Sequence, residues 1–465
     1  MTLFRPAFAV ISLLLPVSSL MAQTPAPDSL AREREVVNRL LDEGLRHGEA
    51  YEMLRTLTTE AGHRLSGSAG AEKAVALTRT MMEELGFENV RVETVMVPRW
   101  ERGNKEQGTI LLPGGKKIAA AICALGSSVA TPRGGITAEV IEVKSFDELN
   151  ALGKKAEGKI IFFNRPMDPG IINTFNAYGG AVDQRSKGAI QAAKAGGVAA
   201  LVRSMTLARD RVPHTGNMGY EAGVKNVPSA AISTVDADTL GALLARGVQV
   251  RFSLALDCRT LPDVPSSNVL GEIRGSVHPG EVVVIGGHLD AWDKGTGSHD
   301  DGSGCVQAIE VVRLIRKLGL RPARTIRAVL FMNEENGLRG GKAYAADPAR
   351  AREKHVALIE SDRGGFAPRG FTVEGDSTLL PKVLRWKSLF DVLDAGRIVK
   401  GGSGADVSPL AAKGVPAFGL EPENHRYFDY HHSDNDTIDK VNSRELEYGA
   451  IASALLCYLI AENGL

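Results

Sequence analysis

The sequence predicts an α/β protein, with a central mixed, mostly parallel sheet flanked by helices and a β-rich domain inserted near its start. Three observations carry this expectation. From Ser267 onward, short apolar runs alternate with amphipathic segments at helical spacing, the pattern of a sheet covered on both faces. Clusters of acids and histidines recur late in the chain, each just after one of those apolar runs. Residues from about 125 to 255 differ in texture: short strands and glycine-rich turns, without acids or histidines gathered at strand ends.

The elements follow in order. The first 22 residues have the layout of an export signal: Arg5 as a positive start, an apolar stretch from Ala7 to Leu20 broken at Pro16, and the small residue Ala22 at the cleavage point. The mature chain is then expected to begin near Gln23 and to be periplasmic or secreted. Apolar residues recur at helical spacing from Leu30 to Thr58, and again from Gly70 to Leu85, where Gly86 ends the segment. Val90 to Val97 alternates like a strand. The inserted region carries strands at Ala138–Val143, Lys159–Phe163, Ala199–Val202 and Ala230–Ile232, and an alanine-rich helix at Ala189–Ala195. Asp257 to Pro265 leads back into the main domain. There the expected order is strand Val282–Gly286, helix Gly304–Leu318, strand Thr325–Met332, helix Gly340–Ala346, strand His355–Glu360, strand Pro416–Leu420 and helix Ser443–Glu462. The resulting division is a signal at 1–22, the first part of the main domain at 23–124, the insert at 125–256 and the catalytic part at 257–465.

Bulk numbers exclude several functions. With 55 basic and 55 acidic residues the 465-residue chain has no net charge, and hence no electrostatic footprint for nucleic acid or an anionic membrane. No stretch after the signal is apolar enough to span a bilayer. The four cysteines, Cys123, Cys258, Cys305 and Cys457, lack metal-ligand spacing and read as small packed hydrophobes, although export would permit a Cys123–Cys258 bridge.

The chemistry lies in the clusters. The strand Val282–Gly286 runs into Gly287-His288-Leu289-Asp290; His299-Asp300-Asp301-Gly302 opens a helix; Glu334-Glu335 and Ser361-Asp362-Arg363 follow the next strands; His431-His432 and Asp436 come late. In open α/β sheets the loops beyond the carboxyl ends of the strands form the functional crevice, so these clusters should converge. Imidazoles and carboxylates without a thiolate suit zinc, and less well cobalt or manganese. Two imidazoles with three carboxylates exceed the needs of one four-coordinate zinc. They fit two zincs sharing a carboxylate, about 3.5–4 Å apart, with a deprotonated water between them. One further carboxylate must stay free to move the water's proton. Taken singly, an acidic pair on a loop is ordinary surface, and Asp300 or Asp301 could simply cap the following helix.

The runs Gly286-Gly287-His288-Leu289-Asp290-Ala291-Trp292-Asp293, Asp300-Asp301-Gly302-Ser303-Gly304, Glu334-Glu335, Glu360-Ser361-Asp362 and His431-His432-Ser433 with Asp436-Thr437 resemble, in order, the zinc-dependent aminopeptidases. The likeness extends into the insert through Ala177-Tyr178-Gly179, Leu201-Val202-Arg203-Ser204 and Pro213-His214-Thr215-Gly216, and covers nearly all of the mature chain. It implies the zinc-exopeptidase fold with a protease-associated insert. It further implies His288, Asp300, Glu335, Asp362 and His432 as metal ligands, Asp300 as the bridge, Glu334 as general base, and a cis peptide between Asp300 and Asp301. Asp290 would hydrogen-bond His288 from behind and turn its other nitrogen to the metal. The glycine-rich loop Gly401–Asp406 would lie near substrate, with Ser403, Asp406 and His431 as candidate contacts. His299 departs from the family pattern, and could reach substrate or be plain surface. The activity implied is that of a two-zinc exopeptidase on dipeptides or short peptides with a free amino end, in a homodimer. A one-zinc glutaminyl cyclase, or a non-catalytic binding protein on the same fold, is the alternative.

Overall fold

Side-chain alternation along the strand His278–His288 sets the architecture. Val283 and Ile285 enter one buried cluster and Val282 and Val284 another, so this strand is covered on both faces. The computed structural model describes residues 30–465, and the proposed signal with its cleavage point lies outside them. The strand sits near the middle of an eight-stranded sheet ordered Glu88–Glu101, Arg259–Ile273, Arg324–Phe331, His278–His288, Lys354–Glu360, Ala417–Pro422, Pro368–Glu374, Arg397–Lys400. The four strands from Arg324–Phe331 to Ala417–Pro422 are mutually parallel, and the pairings outside them are antiparallel except at the final edge. The helices Ser303–Lys317 and Ser443–Asn463 pack together against one face, the latter buried almost continuously from Leu446 to Ala461.

The sheet is mixed α/β, as expected, but three of its strands were not. Asp257–Pro265 was expected only to lead back into the main domain, whereas Arg259–Ile273, with Pro262 and Pro265 inside it, is one long strand. Its prolines are tolerated because that half pairs only with Glu88–Glu101; the second neighbour, Arg324–Phe331, joins from Val269 on. Pro368–Glu374 and Arg397–Lys400 close the far edge.

A second eight-stranded mixed sheet is built between residues 106 and 256, in the order Lys117–Ala120, Glu106–Leu111, Arg251–Leu256, Ile136–Val143, Ile160–Phe163, Ala199–Arg203, Ser229–Ile232, Ile122–Ala124. Division at residue 125 had left the first three of its strands in the other domain. Instead Glu106–Leu111 pairs with Arg251–Leu256 and Ile122–Ala124 with Ser229–Ile232, because Ile110 and Ile122 share an apolar cluster with Phe252 and Ile232. The chain leaves the first sheet and returns to it at neighbouring points, Glu101 pairing with Arg259.

Candidate metal centre

Loops at the carboxyl ends of the parallel strands bring the predicted acids and histidines to one place. His288 ends its strand, Glu335 follows Arg324–Phe331 after a turn at Asn333 (φ 74°), and Asp362 follows Lys354–Glu360. His432 follows the short helix Tyr427–Tyr430, and Asp300 lies in the turn before helix Ser303–Lys317. Asp300 stands between the two imidazoles. Its Oδ1 is 3.2 Å from His288 Nε2, and its Oδ2 is 3.1 Å from His432 Nε2. Asp362 Oδ1 lies 3.5 Å from His288 Nε2, and Glu335 Oε2 3.0 Å from His432 Nε2. Sets of three potential ligand atoms within 4.8 Å of one another include His288–Asp300–Glu335, His288–Asp301–Asp362 and Asp300–His431–His432. His431, left out of the ligand set on sequence, thus lies close as well, its Nε2 3.7 Å from Asp300.

The backbone around Asp300 is held from several sides. The Asp300–Asp301 peptide is cis. Asp436 accepts from the amides of His299 at 2.7 Å and Asp300 at 3.0 Å. Asp301 accepts from Gly304 N, capping the helix, and from His288 N. Arg64 donates to the carbonyls of Leu289, Thr296 and Gly297, fixing the loop that joins His288 to Asp300.

Asp290 bonds His288 through its backbone rather than its side chain. Its carboxylate is 4.0 Å from His288 Nδ1; the backbone carbonyl of Asp290 accepts from Nδ1 instead, at 2.9 Å, and so leaves Nε2 free to face the acids. The carboxylate accepts from the amides of Asn333 at 2.7 Å and Glu334 at 3.0 Å, which positions the Glu334–Glu335 turn.

Charge in this space is unbalanced. Burial opposes a positive His288, but Asp300 and Asp362 outweigh it and hold its pKa well above the usual imidazole range. Burial likewise opposes, and Glu335 and Asp300 overcome, in pushing His432 up to about 9. Burial, then neighbouring carboxylates led by Asp362, raises Glu334 well above the ordinary glutamate range, against the pull of His288. Glu335 Oε1 is buried without a hydrogen-bond partner. These imidazoles and carboxylates call for positive charge, and their nitrogen and oxygen donors are those zinc takes.

The centre opens into a cavity of about 250 Å³ walled from both sheets. The acids and histidines of the centre line it from the first, with the rings of Tyr427 and Phe428; Phe175, Tyr178, Arg185 and Asn217 line it from the second. Arg185 is 8% exposed, lies over the Tyr178 ring, reaches within 3.5 Å of His432 Nδ1, and has no ion pair among the described residues. Sequence reasoning missed it: the predicted helix at Ala189–Ala195 starts at Asp183, and Arg185 on its first turn carries no motif. Two substrate candidates do not reach the cavity lining. Ser403 donates through its amide and hydroxyl to Glu374, and Asp406 is buried behind the centre with its amide on Glu360. His299 is not surface and does not line the cavity: it is fully buried, with its ring against those of Phe366 and Tyr430. All four cysteines are free and buried, so the Cys123–Cys258 bridge does not form.

A buried histidine- and carboxylate-rich centre at the crevice of a mixed α/β sheet has the donor set of a metalloenzyme. The profile of Peptidase family M28 matches residues 268–456. Carboxypeptidase Q of Mus musculus is 37% identical over 419 residues, covering 90% of this chain and 87% of that one. The chain therefore belongs to peptidase family M28, and is a zinc metallopeptidase. Among solved structures, the peptidase M28 precursor from Shewanella amazonensis superposes with a TM-score of 0.89 at 35% identity, over 93% of this chain and 98% of the other. A zinc aminopeptidase from Bacillus subtilis shares the fold, with a TM-score of 0.64 at 20% identity over 90% and 97% of the two chains.

Proposed function

We propose that this chain is a two-zinc exopeptidase cleaving dipeptides or short peptides with a free amino end. The observation that carries the reading is the Asp300 carboxylate, one oxygen beside His288 and the other beside His432, with Asp362 next to the first imidazole and Glu335 next to the second. His288 and Asp362 would hold one ion, His432 and Glu335 the other, and Asp300 both. When bound, zinc supplies Lewis acidity toward the scissile carbonyl and lowers the pKa of water. Glu334 is in the cavity but makes none of the close imidazole contacts that mark the ligand set, which suits a base that takes the water's proton and returns it to the leaving amine. Asp290 fixes the Glu334 backbone, keeping base and ligand on the same turn in register.

The small cavity supports short substrates, and Arg185, lacking an anionic partner, suits the free carboxylate of a dipeptide. We read the second sheet as the protease-associated domain covering the cleft, and the active form as a homodimer. The apolar start of the chain supports export, and no described helix is long and apolar enough to cross a membrane. Elemental analysis should find about two zincs per chain. Free-amine dipeptides should be cleaved and their acetylated forms refused. One zinc per chain, or rapid cleavage of internal bonds in long peptides, overturns this reading.

A further inference from the structure

His432 has a left-handed backbone, φ 59°, a conformation uncommon for any residue with a side chain. The bonds on the carbonyls of this turn come from the second sheet's domain. His214 donates from Nδ1 to the His431 carbonyl at 2.7 Å, and the Thr215 amide donates to the His432 carbonyl at 2.9 Å. His214 is in turn anchored in its own domain: its amide donates to Ser204 Oγ at 3.0 Å, and that hydroxyl donates to the Ile232 carbonyl at 2.8 Å. The His214 ring is 1% exposed and its Nε2 has no hydrogen-bond partner among the described residues. An orphaned buried nitrogen is costly, so an apolar side chain would pack there more favourably if the ring served packing alone. Next to it the chain has glycine where space is short: a Cβ on Gly216 would lie 2.7 Å from His432 Nδ1.

We propose that His214 is a positioning residue for the metal centre, holding the His431–His432 turn so that His432 Nε2 faces Asp300 and Glu335. This rests on the two-ion reading above. The ion taken by His432 and Glu335 should then depend on His214, and the ion taken by His288 and Asp362 should not, because His288 is oriented within the first domain by the Asp290 carbonyl.

The test is zinc affinity of the full-length protein, measured by competition with a chromophoric chelator, with melting temperature as a check on folding. His214→Ala should bind one zinc as the wild type does and the second about tenfold to a hundredfold more weakly, the size seen when partners that orient metal ligands are removed. His214→Asn should restore the second affinity, since its amide N–H can replace Nδ1–H. His214→Gln, whose N–H lies further out, should not. Folded His214→Ala with both affinities unchanged, equal loss of both ions, or His214→Asn no better than His214→Gln would each overturn the proposal. Should His214→Ala fail to fold, the contrast between Asn and Gln decides. A wild type that binds fewer than two zincs fails the functional reading; two zincs in the wild type with no effect of His214 fails this proposal alone.

Discussion

On the first sheet, side chains meet the cavity from the ends of parallel strands, and nearly all carry charge or an imidazole: His288, Glu334, Glu335 and Asp362. The second sheet meets the same cavity with the rings of Phe175 and Tyr178, one guanidinium and the backbone-directed bonds of His214 and Thr215. The first region thus brings the acids and imidazoles together with the Tyr427 and Phe428 rings, and the second adds further aromatic wall, one counter-charge and alignment. Parallel strand ends suit the first task, because they converge several loops on one point with little freedom. An inserted domain suits the second, since its loops can change without disturbing the sheet that carries the acids and histidines.

The comparison can be broken most decisively within the first region. Glu334→Gln should lower turnover by about 10²-fold or more while zinc content stays near that of the wild type, because only proton transfer is lost. Glu335→Gln replaces an anionic ligand by a neutral amide, so metal affinity should fall first and added zinc should partly restore activity. Zinc rescue of Glu334→Gln, with Glu335→Gln inactive but fully loaded, would show the two roles reversed.

A smaller effect tests the second region. Arg185→Gln should raise KM for a dipeptide roughly tenfold to a hundredfold, the range for a hydrogen bond to a charged group, with kcat and zinc content nearly unchanged. The same dipeptide as its carboxyl amide should be cleaved equally by both forms. A drop in kcat with loss of zinc would instead make Arg185 a support of His432, and would blur the division between the regions.

The smallest effect separates functional from structural acids. Glu447 lies in the helical layer behind the first sheet, accepts from the Ala50 amide at 2.8 Å, and is pushed up to about 8 by burial and by Glu310. A carboxyl whose pKa is raised on folding favours the folded state below its ordinary value, and that contribution is lost as pH rises. Stability should fall between about 4.5 and 8, and Glu447→Gln should flatten this slope in chemical denaturation without changing activity.

Much of the first region was legible in sequence because each cluster follows an apolar run, and a strand end is where a short stretch of chain fixes a side chain in space. The second region's contributions were not. Arg185 and His214 act on a segment some 217 to 247 positions away, and the bonds from His214 and Thr215 go to backbone carbonyls, which leave no residue signature. Asp290 taught the same lesson inside the first region: a carboxylate near a histidine in sequence was given the bond that its own carbonyl makes. The strand Arg259–Ile273 was hidden by two prolines that only pairing on one side makes tolerable.

The entry and exit of the inserted domain have a mechanical consequence. Because Glu101 and Arg259 are paired, and the Arg259 guanidinium also reaches the Glu101 carboxylate at 2.8 Å, the domain hangs from a double-stranded ribbon rather than a single thread. Just beyond the ribbon, Arg102 grips Asp293 of the metal-site loop with two bonds. Rotation about one tether is thereby denied, because the ribbon and the Arg102–Asp293 pair hold the domain at separate points. The Arg102–Asp293 pair thus ties the second sheet's domain to the metal-site loop between the ribbon and the His214 contact.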